Sequence, residues 1–299
     1  MILVTGGTGF IGGELVRNLR IAGKPFRLLL QPSADPTTLP QGWDFDVAVS
    51  SLSDSRGLRA ALQGVEVIYH LAGVEQQGSK ANLEQLEVSG LKNLTQAASE
   101  AHISRFFYLS HLGADRASAY NLLKAKGIAE HIIRTAEIPF SIFRVGPVFG
   151  PGDHFTRNIA HLIKISPGIV LIPGKGNTLL QPLWIGDLVT CLLWALEMPE
   201  TINQTLELGG PEHLTFLEIM QLIAQKTKKR RRFVETNPVQ LGRLTQFLET
   251  SKKDFPTSVF WLEYLAENRT CGLDSLPRLF GINPAIFRQK LDFLAETRN

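Results

Sequence analysis

The sequence predicts an α/β fold: a doubly wound parallel sheet over the first half of the chain, then a smaller, mostly helical C-terminal lobe. Three observations carry that prediction. Short apolar runs alternate with stretches of helical spacing from the first residues to about residue 150. Several of these runs are continuously apolar, which is the pattern of strands buried on both faces. Beyond residue 150 the alternation stops, and helix-spaced segments without clear strand partners take over.

Each element has its own warrant. ILVT (2–5) reads as a buried strand, and residues 10–22 as a helix with Phe10, Ile11, Leu15 and Leu19 on one face. PFRLLL (25–30), FDVAV (45–49) and VEVIYHLAG (65–73) are the next three strands, followed by a longer helix near 81–101. RFFYLS (105–110) is the fifth strand, residues 120–136 a helix, and PFSIFRV (139–145) the sixth strand. FGPGDHF (149–155) is loop-like, and LLQPLWIGDLVTCLLWAL (179–196) is a short strand entering a helix. TFLE (215–218) marks a helix start, because Thr215 and Glu218 can satisfy each other's free N–H groups. Further helices are expected at 238–248, 257–267 and 284–295. On this reading residues 1–150 form one domain, with further sheet and helix elements from about 176–210, and residues 151–299 form the lobe.

Composition narrows the function classes. An apolar fraction of 44% and a charged fraction of 20% belong to an ordinary globular protein. The net charge of +3 is too weak to indicate a nucleic-acid partner. Cys191 and Cys271 lie far apart with no metal or redox spacing, so they read as reduced thiols. The histidines show no metal-ligand spacing, and no serine stands in a nucleophile elbow. No apolar run approaches the roughly 18 residues of a membrane span. The N-terminal apolar residues have no basic region ahead of them, so neither a signal nor a transit peptide is expected. These features predict a cytoplasmic protein without a metal site.

The densest local signal is TGGTGFIG (5–12), between the first strand and the first helix. Spaced glycines at Gly6, Gly9 and Gly12 let backbone approach a pyrophosphate, whose charge meets the unpaired N–H groups of the helix start. Thr8, Phe10 and Ile11 complete that turn. An acidic residue at the end of strand two would bind adenosine ribose and select NAD. That position holds Gln31, followed by Pro32 and Ser33, so nothing there repels a 2′-phosphate. The arginine that would grip such a phosphate is also missing, unless Arg27 or Lys24 reaches round. NADP is favoured over NAD on this balance.

AYNLLKAKG (119–127) sets Tyr120 and Lys124 four apart, one helical turn, on one face. A lysine ammonium beside a phenol favours the phenolate. Such a tyrosine can pass a proton to or from a substrate oxygen while hydride moves at a nicotinamide.

In TGGTGFIG (5–12), HLAG (70–73), VSGLKNL (88–94), YNLLK (120–124), RVGPVFGPGD (144–153), LQPLWIGDL (180–188) and LELGGPE (206–212) the chain resembles the short-chain dehydrogenase/reductase superfamily, in its extended or atypical, epimerase/dehydratase-like branch. SHLGAD (110–115) is most similar to the nucleotide-binding accessory subunit of respiratory complex I and its stand-alone bacterial relatives. The resemblance implies a Rossmann-type fold binding NAD(P), with Tyr120 and Lys124 at the catalytic positions. It implies cofactor contacts at Ser51 and Leu52 after strand three and at Leu71, Ala72 and Gly73 after strand four. His111 stands where active relatives carry a hydroxyl, with Ser110 behind it to help polarise the substrate oxygen. Departures from the pattern are Ser51 for an acidic residue, Glu87 for asparagine and Val145 for proline, with only ten residues from Ser110 to Tyr120.

Two functions follow from the resemblance. One is an oxidoreductase acting on a small carbonyl or hydroxyl substrate, its pocket closed by residues from 149–155, 181–184 and the helix near 260. The other is a nucleotide-loaded scaffold docked on a larger complex. A homodimer through the helix of Tyr120 and the one near 81–101 is common in the family. KTKKRRR (226–232) reads as a solvated helix end whose dipole favours cations, and offers an anionic surface or acidic partner a contact. With no aromatic residues interleaved, nucleic acid is not expected there. VFWLEYL (259–265) reads as a cover over the substrate pocket.

Overall fold

The computed structural model describes all residues except 36, 38, 40, 41, 74–81, 252–254 and 297–299. The chain divides into two compact units. One takes the described residues of 1–74, 82–144 and 188–206, the other those of 145–187 and 207–299.

The first unit begins with β1 (Ile2–Thr5), α1 (Phe10–Ile21), β2 (Phe26–Leu30), β3 (Asp46–Val49), α2 (Ser55–Ala61) and β4 (Val67–His70). A π-helical turn, Glu84–Ser89, then leads into α3 (Gly90–Glu100), followed by β5 (Arg105–His111), α4 (Asn121–Thr135) and β6 (Phe140–Val145). Later in the chain come β7 (Val148–Phe149), α5 (Phe155–Ile165), β8 (Ile169–Pro173), β9 (Leu179–Leu180), β10 (Leu183–Trp184), α6 (Ile185–Trp194) and β11 (Gln204–Leu208). Seven strands form one sheet in the order β11-β6-β5-β4-β1-β2-β3, doubly wound as the apolar runs predict. Strand β1 sits at the switch, paired in parallel with β2 on one side and β4 on the other. In such sheets ligands bind beyond the carboxyl ends at that switch.

Alternation along β4 shows why both faces are covered. Ile68 packs into a cluster with Leu91, Leu94, Phe106, Ala129 and Ile133, which holds α3 and α4 to one face. Its neighbour Tyr69 points to the other face and donates a 2.7 Å hydrogen bond to the Leu192 carbonyl of α6. Leu3, Val4, Leu15, Val16, Leu19 and Leu28 are fully buried, which accounts for the continuous apolar runs.

The second unit holds the two-stranded pairs β7–β10 and β8–β13 (Arg232–Thr236), both parallel, and β9–β12 (Leu214–Thr215), antiparallel. Its helices besides α5 are α7 (Phe216–Lys226), α8 (Pro238–Ser251), α9 (Val259–Tyr264), α10 (Ser275–Phe280) and α11 (Phe293–Glu296). The expected reciprocal cap is present: Glu218 N–H donates to Thr215 Oγ1, and Thr215 N–H donates to the Glu218 carboxylate.

Several expectations change. The strand read over 65–73 ends at His70, and 71–73 leave the sheet. The helix read over 284–295 is a 3₁₀ turn, Phe287–Lys290, and the single turn α11, because Ile286 is held extended at φ −71°, ψ 131°. The pair β8–β13 was not expected: Ile169 and Leu171 stay exposed between the buried Val170 and Ile172, an alternation too short to stand out. Within the basic run, α7 ends at Lys226 and Lys228–Arg230 are solvated, but Arg232 opens a strand. In α9, Trp261 packs against Phe155 and Phe216 at centroid separations of 5.3 and 6.2 Å.

Candidate nucleotide site

Backbone crowding builds the turn after β1. Gly6 has φ +72°, and a Cβ there would lie 2.6 Å from the Ala72 backbone nitrogen. A Cβ on Gly12 would lie 2.0 Å from the Gly6 carbonyl oxygen, so only glycine lets α1 seat against the turn. Gly9 is different. Its φ of −79° suits any residue, and a Cβ would lie 3.3 Å from the Gly6 oxygen, a tight contact that a shift of a few tenths of an ångström relieves. The fold asks much less of this position, and Gly9 caps α1 without any side-chain hydrogen bond. The first intrahelical bond runs from Gly13 N–H to the Gly9 carbonyl, leaving the preceding N–H groups of α1 to meet an anion. Thr8 is exposed and Phe10 and Ile11 are half-buried around this helix start.

Leu71 N–H donates to the Thr5 carbonyl, which brings Leu71, Ala72 and the exposed Gly73 alongside the turn. On the adenosine side, Gln31 is exposed at the end of β2. Neither cation that could reach round does so. Arg27 bonds Asp46 and the Ala61 and Gln63 carbonyls, and Lys24 pairs with Glu197 at 2.8 Å. After β3, the Ser51 and Ser53 hydroxyls bond each other at 2.8 Å, and buried Leu52 accepts from Asn93 through its carbonyl. The nearby carboxylate, Asp54, is spent capping α2 through the Arg56 and Gly57 N–H groups.

The second cluster surrounds α4. Tyr120 is the N-cap, at φ −96°, ψ 122°, just outside the helix and half-buried, while Lys124 is exposed. The lysine that α4 sends into the interior is Lys126, 2% exposed, at 3.0 Å from the buried Glu87 carboxylate. Tyr108 of β5 donates to the same Glu87 oxygen at 3.2 Å, and Lys126 lies 5.3 Å above the Tyr108 ring. The π-helical turn turns Glu87 inward, and its Oε1 is buried without a hydrogen-bond partner. His70 stacks on Tyr108 at 5.9 Å and shares a 2.7 Å hydrogen bond with Thr5 Oγ1. Burial, helped by the Lys126 charge, pushes the His70 imidazolium down to about 3, so His70 is neutral at working pH. A polar chain therefore runs under the sheet's carboxyl ends, from the last residue of β1 to α4.

Ser110, expected behind His111, is buried, and its hydroxyl donates to Glu130 at 2.7 Å. Glu130 also accepts two 2.8 Å bonds from Arg144, which in turn donates to the Ala114 carbonyl at 3.0 Å. This knot fixes the connection that carries His111, itself half-buried at the end of β5. Glu87, Lys126, Glu130 and Arg144 were not read from the sequence as a site. The Lys126-x-x-x-Glu130 spacing would suggest a pair on the surface of α4, whereas Lys126 pairs with Glu87, both buried, and the buried Glu130 with Arg144.

With this geometry in hand, residues 6–153 match the NAD(P)H-binding family. The mitochondrial NADH dehydrogenase (ubiquinone) 1 alpha subcomplex subunit 9 of Rattus norvegicus is 25% identical over 230 residues, covering 76% of this chain and 61% of that protein. This chain thus spans about three fifths of that relative's length. Ceramide reductase of Caulobacter vibrioides is 30% identical over 168 residues, 56% of this chain and 52% of that protein. Among solved structures, the UDP-glucose 4-epimerase of Thermotoga maritima superposes with a TM-score of 0.73 at 18% identity, over 99% of this chain and 97% of that one. That last likeness concerns the fold. Residues 6–153, with a glycine turn at the switch of a doubly wound sheet, thus carry an NAD(P)H-binding segment, and the chain is similar to extended short-chain dehydrogenase/reductase proteins.

Proposed function

We propose that the chain binds NAD(P)H at the Gly6–Gly12 turn and transfers hydride between it and a small carbonyl or hydroxyl substrate. Gly9 carries the proposal: the fold makes no strong demand for glycine there, and the approach of a pyrophosphate does. Bound nucleotide supplies the hydride chemistry. The chain's own residues bind its phosphates on the α1 N–H groups that precede the first intrahelical hydrogen bond. With no carboxylate at Gln31 and no arginine reaching it, discrimination between NADPH and NADH is small and in favour of NADPH.

Tyr120 is the proton-exchanging group and His111 the donor that polarises the substrate oxygen, at the two ends of the connection that Arg144 holds through Ala114. Lys124, one turn after Tyr120, orients the nicotinamide ribose. We place the chain in the cytoplasm, where Cys191 and Cys271, neither in a disulfide among the described residues, stay reduced. A screen of small carbonyl compounds with NADPH tests the reading. Tyr120→Phe should lower turnover at least ~100-fold with nucleotide affinity unchanged. No turnover on any carbonyl, alcohol or nucleotide-sugar substrate contradicts it.

A second reading, a nucleotide-loaded scaffold for a larger complex, is favoured by Ser110. With its hydroxyl committed to Glu130 and Lys124 exposed, less catalytic equipment faces a substrate. The rat relative's place in an NADH dehydrogenase subcomplex points the same way. Nucleotide retained through gel filtration, with no turnover and a co-purifying partner, decides for it.

A further inference from the structure

Two basic segments far apart in sequence meet in the second unit. Helix α5 buries Thr156, Ile159 and Ile163 on one face and exposes Arg157, His161 and Lys164 on the other. The turn after α7 brings Lys228 and Lys229 to the same place. Together with Lys226 they line a cleft of about 700 Å³, walled on its apolar side by Ile165, Leu294 and Ala295.

The arrangement is built rather than incidental. Arg231 pins the turn to the carbonyl end of α5, bonding the Ile163 oxygen at 2.9 Å and the Lys164 oxygen at 3.5 Å. Lys226 is neutralised by Asp292. No ion pair among the described residues engages Arg157, Lys164, Lys228 or Lys229, so with Lys226 balanced by Asp292 and Asp153 counted, an excess of three positive charges faces one cleft. The other acid on the lining, Asp153, is buried and committed to the Gly150 and Thr156 N–H groups and the Thr156 hydroxyl. Lys228 also adopts φ +54°, a left-handed conformation at a helix end where glycine is the unstrained choice. A lysine there places its charge at a conformational cost.

We propose that this cleft binds clustered phosphate groups, as in a polyphosphorylated metabolite or a phospholipid headgroup. An excess of three positive charges matches the charge of two or more phosphate groups held close together. No phenylalanine, tyrosine or tryptophan stands among the described lining residues, so a nucleic-acid base would find only the small imidazoles of His154 and His161 to stack on. The site is independent of the glycine turn and of the reading drawn from it.

The test titrates the full chain with inorganic pyrophosphate by calorimetry at fixed salt. In parallel, the protein is sedimented with vesicles of phosphatidylcholine, with and without phosphatidylglycerol. Two cleft pairs are compared, Lys228→Glu/Lys229→Glu and Arg157→Glu/Lys164→Glu, with Arg243→Glu/Arg288→Glu as a control of equal charge change. Each cleft pair should weaken binding at least tenfold, and the control less than twofold, with all three variants melting as the parent does. Pyrophosphate binding assigns a free phosphate compound, and cleft-dependent binding to phosphatidylglycerol vesicles alone assigns a lipid headgroup. The proposal is overturned if neither probe binds, if both cleft pairs bind as the parent does, or if the control loses binding equally.

Discussion

The glycine turn and helix α4 border the carboxyl ends of the same strands, yet different forces hold them. At the turn, backbone meets backbone: a Cβ on Gly12 would stand 2.0 Å from the Gly6 oxygen, and nothing there can move aside cheaply. On α4, charge meets charge: Lys126 answers Glu87, and Glu130 answers Arg144. A steric contact admits one residue type. An ion pair needs both members, so its parts can be exchanged together but not singly.

That contrast can be broken at several points. The largest effect is expected for Gly12→Ala, which should destabilise by at least about 3 kcal/mol or prevent folding, read from the denaturant midpoint. A near-neutral result would mean the turn relaxes and sterics do not govern it. Lys126→Met comes next. It strands the buried Glu87 carboxylate and should cost about 3–5 kcal/mol, most of it recovered in the double variant with Glu87→Gln. Lys124→Met, on the exposed side of α4, should stay within about 0.5 kcal/mol.

His70 adds a pH dependence of the same order. Folded His70 is neutral because its value has fallen from 6.5 to about 3, whereas the unfolded chain takes up a proton below about 6.5. Stability is therefore unaffected by this group above pH 6.5 and declines as pH falls from 6.5 towards 3. The full loss is on the order of 5 kcal/mol. Measured by urea unfolding, His70→Asn should flatten that decline, and an unchanged slope would show that other groups cause it. A small effect on stability is also expected for Gly9→Ala, which should shift the melting temperature by only a few degrees yet weaken nucleotide binding at least tenfold.

What could be read from the sequence follows the same division. The turn was legible because steric demands write themselves as residue types at fixed spacing, and Gly6, Gly9 and Gly12 fall where the strand ends and the helix begins. The sheet was legible because Leu3, Val4 and Leu28 are buried on both sides and cannot be polar. The inward lysine of α4 was not. Lys124 and Lys126 are both helical and both near Tyr120, and which one turns inward depends on a carboxylate 39 residues upstream of Lys126, brought in by a π-helical turn. The role of Ser110 was hidden for a similar reason, since Glu130 and Arg144 claim its hydroxyl only after β5, α4 and β6 assemble. The short strands β8 and β13 pair across 59 residues with little local pattern to announce them.

The central claim is that the glycine turn holds a nucleotide, and it is tested most directly by calorimetric titration of nucleotide-stripped protein with NADPH and NADH at one salt concentration. The same titration is made on Gly9→Val. The account predicts saturable one-site binding, NADPH the tighter, lost in Gly9→Val even though that variant folds and melts in a single cooperative transition. Binding of neither nucleotide, or equal binding to Gly9→Val, would contradict it.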